Sequence, residues 1–205
     1  MLVRHFRKVI MLAQHQSKSQ EHYTPDFILS ATRSLLGGID LDPASSEIAN
    51  QRVKAHTYYT KEDNSLHLPW CGKVFLNPPG GKLKGTRSLT KAFWQKLVTE
   101  YLLDEHLIGH VTEAIFLAFS IELLQTSQNG ADNPKYWATS YPICIPKQRI
   151  SFIDADGNAQ TSPPHASAII YLPPKWYGIS EKPWDMNRAE EFKEKFIHIG
   201  AVVGI

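Results

Sequence analysis

The stretch EAIFLAFS, residues 113–120, is apolar almost throughout. A strand with one wet face alternates, whereas a strand apolar on both sides must be covered on both sides, as in the centre of a parallel sheet. This run therefore demands a sheet flanked by helices, and the rest of the chain supplies the parts. Val74-Phe75-Leu76 and "ASAIIYLP" read as further buried strands, "IDLDPAS", "YPICIP" and "RISFID" as strands, and "HTYYT" is β-prone. Between them lie helical patterns. "TPDFILSATRSLLGG" offers Thr24 as N-cap and Pro25 at the first helical position, with Gly37-Gly38 as its stop. "SSEIANQRVKA" is a short helix capped by Ser45 or Ser46, and "IELLQTSQ" is another. In "SLTKAFWQKLVTEYLLDEHL" the residues Leu89, Phe93, Leu97 and Tyr101 share one face. The tail "WDMNRAEEFKEKFIHIGAVV" reads as a mostly polar helix with an apolar end. Strands alternating with helices indicate an α/β fold with a doubly wound, mostly parallel sheet. "RISFID" and "ASAIIYLP" are joined without a helix, which predicts an antiparallel hairpin at one edge.

A chain of 205 residues suits one domain. We place it over residues 21–205, after a basic arm (residues 1–20) that is flexible or partly helical. With 42% hydrophobic and 20% charged residues, the composition is that of a soluble globular protein. No apolar run approaches the roughly 18 residues of a membrane span. The basic start lacks an apolar core and a small-residue cleavage site, so it is not read as a signal peptide. Cys71 and Cys144 lie far apart, which excludes a disulfide scaffold and fits a reducing cytoplasm. The nine histidines show no metal-ligand spacing, so no metal is expected. A net charge of +2 neither demands nor excludes nucleic acid. The oligomeric state is left open, with a monomer favoured.

The strand Val74–Leu76 ends abruptly in Asn77-Pro78-Pro79. Neither proline has an N–H to donate to a sheet ladder, so the strand stops and Asn77 stands at its tip on a stiff turn. One reading is plain loop punctuation by Pro-Pro and Gly-Gly. The other is a site, because open α/β sheets bind ligands outside the carboxyl ends of their strands. Asp40, Asp42 and Asn77 all fall at such ends. The Asn77 amide oxygen and the Pro78 carbonyl are two acceptors in fixed geometry. An exocyclic amine donating both N–H bonds to them is drawn toward tetrahedral geometry, and its lone pair is freed for attack on an electrophilic methyl group. This is catalysis by positioning and electrostatics, and it needs no strong base.

Four segments in order, "HYTPDFI", "IDLDPASSEIAN", "YYTKEDNSLHLPWCGKVFLNPP" and "RISFIDADGN…SPPHASAIIYL", resemble the phage-type DNA adenine-N6 methyltransferases. These are S-adenosylmethionine (SAM)-dependent amino-methyltransferases, and the resemblance runs roughly from Tyr23 to Leu172. It implies a Rossmann-like methyltransferase fold, SAM as cofactor, DNA as partner, and the cytoplasm of a bacterium or phage-infected host. It implies that Tyr23, Thr24 and Pro25 contact the methionine moiety of SAM, where free N–H groups at a helix start can take a carboxylate. Asp42 and Pro43 would hold the cofactor's amino group, with Asp40 beside them, and Asp63 its adenine edge. Asn77, Pro78 and Pro79 would receive the target amine. Helix capping by Asp42 and a solvated turn at Asp63 stand as the alternative readings.

Two features depart from the resemblance. The family's motif carries an aromatic after the second proline, where this chain has Gly80. Phe75 and Trp94 are candidates for a substitute ring, against core packing as the alternative for both. The Gly-x-Gly of many SAM sites is absent, and "LDPASS" stands in its place. The loop "GGKLKGTRS" brings Lys82, Lys84 and Arg87 beside the strand tip, and with Arg149 these are candidates for DNA phosphate contacts. His165 in "SPPHAS" has no evident partner and is read as structural. A silent DNA- or SAM-binding module, or an enzyme acting on RNA or protein, are the competing readings.

Overall fold

The computed structural model describes residues 22–83, 88–103, 110–160, 165–176 and 182–205. The basic arm thus lies outside the described residues. The strands are β1 (Leu41–Asp42), β2 (Thr57–Tyr58), β3 (Gly72–Leu76), β4 (Val111–Ala118), β5 (Ile143–Pro146), β6 (Ala168–Leu172) and β7 (Gly200–Val203). They form one sheet in the order β2-β1-β3-β4-β6-β5-β7. The first four run parallel to one another. β6 is antiparallel to both β4 and β5, and β7 is antiparallel to β5.

The sheet is therefore mixed, and two expectations need correction. The segment 149–154 does not enter the sheet. Within it Ile153 makes isolated antiparallel bridges to Tyr23 and Ala159. Its turn is closed locally by Asp154, whose carboxylate accepts the N–H groups of Asp156 and Asn158. The edge is instead taken by β7, built from the apolar end of the tail that the sequence pattern assigned to a helix.

The main helices are α1 (Asp26–Leu36), α2 (Glu47–Val53), α3 (Leu89–Leu102), α4 (Glu122–Thr126) and α5 (Met186–Phe196). Alternate residues of each strand face opposite sides. Phe75, Ile115, Leu117, Ile169 and Tyr171 pack with α1 and α5 on one side. Val74, Leu76, Ala114, Phe116 and Ile170 pack with α3 on the other. β4 is covered on both faces, as its composition demands. Each large side chain so buried contributes about 1.5–3 kcal/mol. Trp94 and Phe75 both belong to these cores at 0% exposure. Trp94 meets Phe116 edge-on at 5.3 Å.

A charged group lies within the core beneath α5. Glu113 is buried in β4, where its carboxylate takes the Arg188 guanidinium from α5 at 2.6 Å and the hydroxyl of Tyr171. This pairing fixes α5 against the sheet, because a buried carboxylate without its cation would be strongly destabilising. No helix among the described residues is long and apolar enough to cross a membrane.

Candidate active site at the carboxyl ends of β1 and β3

From β1 the chain continues to β2 on one side, and β3 lies on the other. The sheet order reverses there, and such a switch point opens a crevice beyond the strand ends. An open cavity of about 1590 Å³ occupies this position. Asp42, Pro43, Asn77, Pro78, Pro79 and Gly80 all line it.

Asn77 follows directly on β3, and its side chain is oriented. Its Nδ2 donates to the carbonyl of His22 at 3.1 Å and to the Thr24 hydroxyl oxygen at 3.2 Å. A carbonyl can only accept, so the NH₂ end of the amide must face His22. Both amide hydrogens are thereby used, and Oδ1 is left as the acceptor on the other side. Pro78 is buried and Pro79 exposed, so the turn is packed at its first proline.

The segment that orients Asn77 is itself pinned. Tyr23 is buried and exchanges backbone hydrogen bonds with Ile153 at 2.8 and 2.9 Å. Next to it, Gln160 Nε2 stands 2.6 Å from His22 Nδ1. Helix α1 begins one residue later than the sequence suggested. Pro25 is its N-cap, and no side chain caps it. Thr24 therefore does not cap the helix; its hydroxyl serves Asn77. Tyr23 and Thr24 line the cavity, and Pro25 does not.

Asp42 ends β1 and is 3% exposed. Its Oδ1 accepts the Ala44 N–H at 3.1 Å, which shapes the turn into α2. Ser46, not Asp42, caps α2, accepting from the Ala49 N–H. Burial pushes the Asp42 carboxyl up to about 6, opposed in part by the Ala44 N–H. Among the described residues no cationic side chain forms an ion pair with it. A buried carboxylate facing a cavity without a cation is suited to receive one from a ligand. An ammonium such as that of SAM fits this position.

The other residues singled out from the sequence are dispersed. Asp40 precedes β1, at the end away from the cavity. Its carboxylate takes the Lys73 N–H at 2.7 Å, where the β3–β4 register shifts between Gly72 and Lys73. Asp63 is exposed and bonds the backbone N–H and hydroxyl of Thr60 at 2.7 and 2.8 Å. Those bonds hold its carboxyl below the usual range. Its neighbours Glu62, Asn64 and Ser65 line the cavity, and Asp63 shapes the loop that presents them. Lys82 is exposed just past Gly81, and Arg149 is exposed on another loop. Lys84 and Arg87 lie outside the described residues.

The sequence reading missed His22, Phe119 and Gln160, and it gave His165 no partner. All four line the cavity. Phe119 was detectable in one respect: it follows the last residue of a strand parallel to β3, so it too sits at a carboxyl end. No local signal marked His22 or Gln160.

The Asn-Pro-Pro turn and a buried carboxylate thus stand at neighbouring strand ends around one open crevice. The profile of the DNA N-6-adenine-methyltransferase (Dam) family matches residues 13–193, and the chain belongs to that family. It is an adenine-specific DNA methyltransferase. No curated protein matches the chain significantly.

Proposed function

We propose that the cavity at the ends of β1 and β3 is where the adenine amine and SAM meet, in a Rossmann-like arrangement of the parallel strands. The observation that carries this reading is the Asn77 amide, whose hydrogens are both engaged so that Oδ1 is the free acceptor. Asn77 Oδ1 and the Pro78 carbonyl accept the two hydrogens of the adenine amine and localise its lone pair on nitrogen. Neither acceptor is a strong base, and the rate gain comes from fixed geometry and fixed dipoles. Pro79 stiffens the turn that holds them. Once methylated, the nitrogen releases its extra proton to water.

When bound, SAM supplies the electrophilic methyl group. Asp42 holds its ammonium, in a turn fixed by Pro43. Tyr23 and Thr24, with the uncapped start of α1 at Pro25, form the wall at its carboxylate end. Asp40 and Asp63 act on the frame, one at the β1–β3 entry and the other through the Thr60 turn. Lys82, Lys84, Arg87 and Arg149 contact phosphates, which gives DNA binding its salt dependence.

The test is transfer of labelled methyl groups to unmethylated DNA, followed by digestion to nucleosides. Wild type should place label in N6-methyladenine. The variant Asn77→Ala should lose about 100-fold or more of the rate, as expected when an oriented acceptor is removed, while SAM binding by calorimetry persists. Full transfer by Asn77→Ala would reject the assigned role.

A further inference from the structure

An adenine delivered to Asn77 must leave the DNA stack, and enzymes that extrude a base hold it by stacking as well as by hydrogen bonds. The turn that follows Asn77 carries no ring for this. Gly80 follows the two prolines, and a Cβ built there meets nothing within 4 Å. The space beside the amine acceptors is open.

The neighbouring strand fills the need. Leu76 pairs with Phe116, so the chain after β3 and the chain after β4 leave the sheet side by side. Phe119 is the first residue past β4. It is half-buried and lines the same cavity as Asn77 and Gly80. Phe152, 1% exposed, and His22 both pack against it, each with ring centroids 5.5 Å from the Phe119 ring. His165 meets Phe119 edge-on at 5.2 Å and 66°. The Ser167 hydroxyl donates to the Phe119 carbonyl at 3.3 Å, which fixes the backbone. A ring held by three neighbours, with part of its surface on the cavity, has the fixed orientation that stacking a base requires.

We propose that Phe119, edged by His165, provides the surface on which the extruded adenine stacks while Asn77 and Pro78 hold its amine. This rests on the reading that the Asn77 crevice receives the adenine. Phe75 and Trp94 cannot serve, because both are sealed in the core.

The test uses the full chain and unmethylated DNA, with methyl transfer and SAM affinity measured in parallel. Phe119→Leu keeps apolar volume and removes the ring. It should lower kcat/KM for DNA by about tenfold to a hundredfold, the range of a lost base–aromatic stack, with SAM affinity unchanged. Phe119→Tyr should stay within about threefold of wild type, since it keeps the π face. Adding Gly80→Tyr to Phe119→Leu should restore much of the loss, because the new ring enters space now open. Wild-type kcat/KM in Phe119→Leu would overturn the proposal. So would a loss that Phe119→Tyr shares and Gly80→Tyr does not repair, which would mark Phe119 as packing only. Failure of the parent reading looks different: wild type itself would not label adenine, or Asn77→Ala would remain active.

Discussion

Replacing Asp42 with asparagine should make the protein more stable at neutral pH while removing its grip on SAM. The carboxyl is moved from 3.8 to about 6, chiefly by burial. Each pH unit corresponds to about 1.4 kcal/mol, so an ionised Asp42 at neutral pH costs the fold about 3 kcal/mol. The sign follows from which state holds the proton more tightly. The folded value lies above the unfolded one, so the protonated form favours folding. Below about pH 4 both states are protonated and there is no penalty. Between about pH 4 and pH 6 the unfolded chain ionises while the fold resists, and stability falls. Above about pH 6 the penalty is complete and constant. The amide introduced by Asp42→Asn would keep an oxygen for the Ala44 N–H, which lies 3.1 Å from Asp42 Oδ1, and it carries no charge.

Urea unfolding of both proteins at several pH values measures this directly. The stability difference between variant and wild type should widen in the variant's favour by about 2–3 kcal/mol from about pH 4 to about pH 7.5. Taking the difference cancels the titration of groups common to both proteins. A difference independent of pH, or one that widens in favour of the wild type, would refute the reasoning. Calorimetry completes the test. SAM affinity should be lost in Asp42→Asn. In wild type it should weaken about tenfold per pH unit below pH 6, as the carboxylate that pairs with the ammonium is neutralised.

Two further outcomes follow from the hydrogen bonds. Thr24→Val removes one of the two acceptors that orient the Asn77 amide; kcat should fall roughly tenfold, and Thr24→Ser should behave like wild type in the same transfer assay. Arg188→Met strands the buried Glu113 carboxylate and should destabilise the fold by about 3–5 kcal/mol in urea; adding Glu113→Gln should recover most of that loss.

Where chemistry is encoded locally, the sequence was readable. Buried strands announced themselves as apolar runs at Val74–Leu76 and 114–118. The two prolines after Asn77 forced the strand end, and with it the position of the amide. Asp42 was placed at a strand end by Pro43 behind it. What was not readable depended on partners distant in the chain. The apolar tail becomes β7 only because Ile143–Pro146, more than fifty residues earlier, offers an open edge. The 149–154 segment carries a strand-like pattern, yet Ile153 pairs with Tyr23 outside the sheet. Asp40 and Asp63 show a further limit: an acidic side chain at a turn can face a ligand or satisfy a nearby backbone N–H, and residue type alone does not say which. Here both turned to the backbone.

The way Asn77 is held couples the two halves of the chemistry. Its amide is oriented by the His22 carbonyl and the Thr24 hydroxyl. Those two flank Tyr23, which is fastened to Ile153 on both its N–H and its carbonyl. The same three residues run into the start of α1, the wall assigned to the methionine end of SAM. The amine acceptor and that wall therefore move as one unit, braced by a loop about 130 residues downstream in sequence. An error of 1 Å in a reacting pair can cost a hundredfold in rate, so a site that works by positioning gains from such bracing. Asn77 has no acid–base function with which to compensate for misplacement. On the proposed reading, the Ile153–Gln160 loop, distant from Asn77 in sequence, is thus part of what holds the Asn-Pro-Pro turn in its working position.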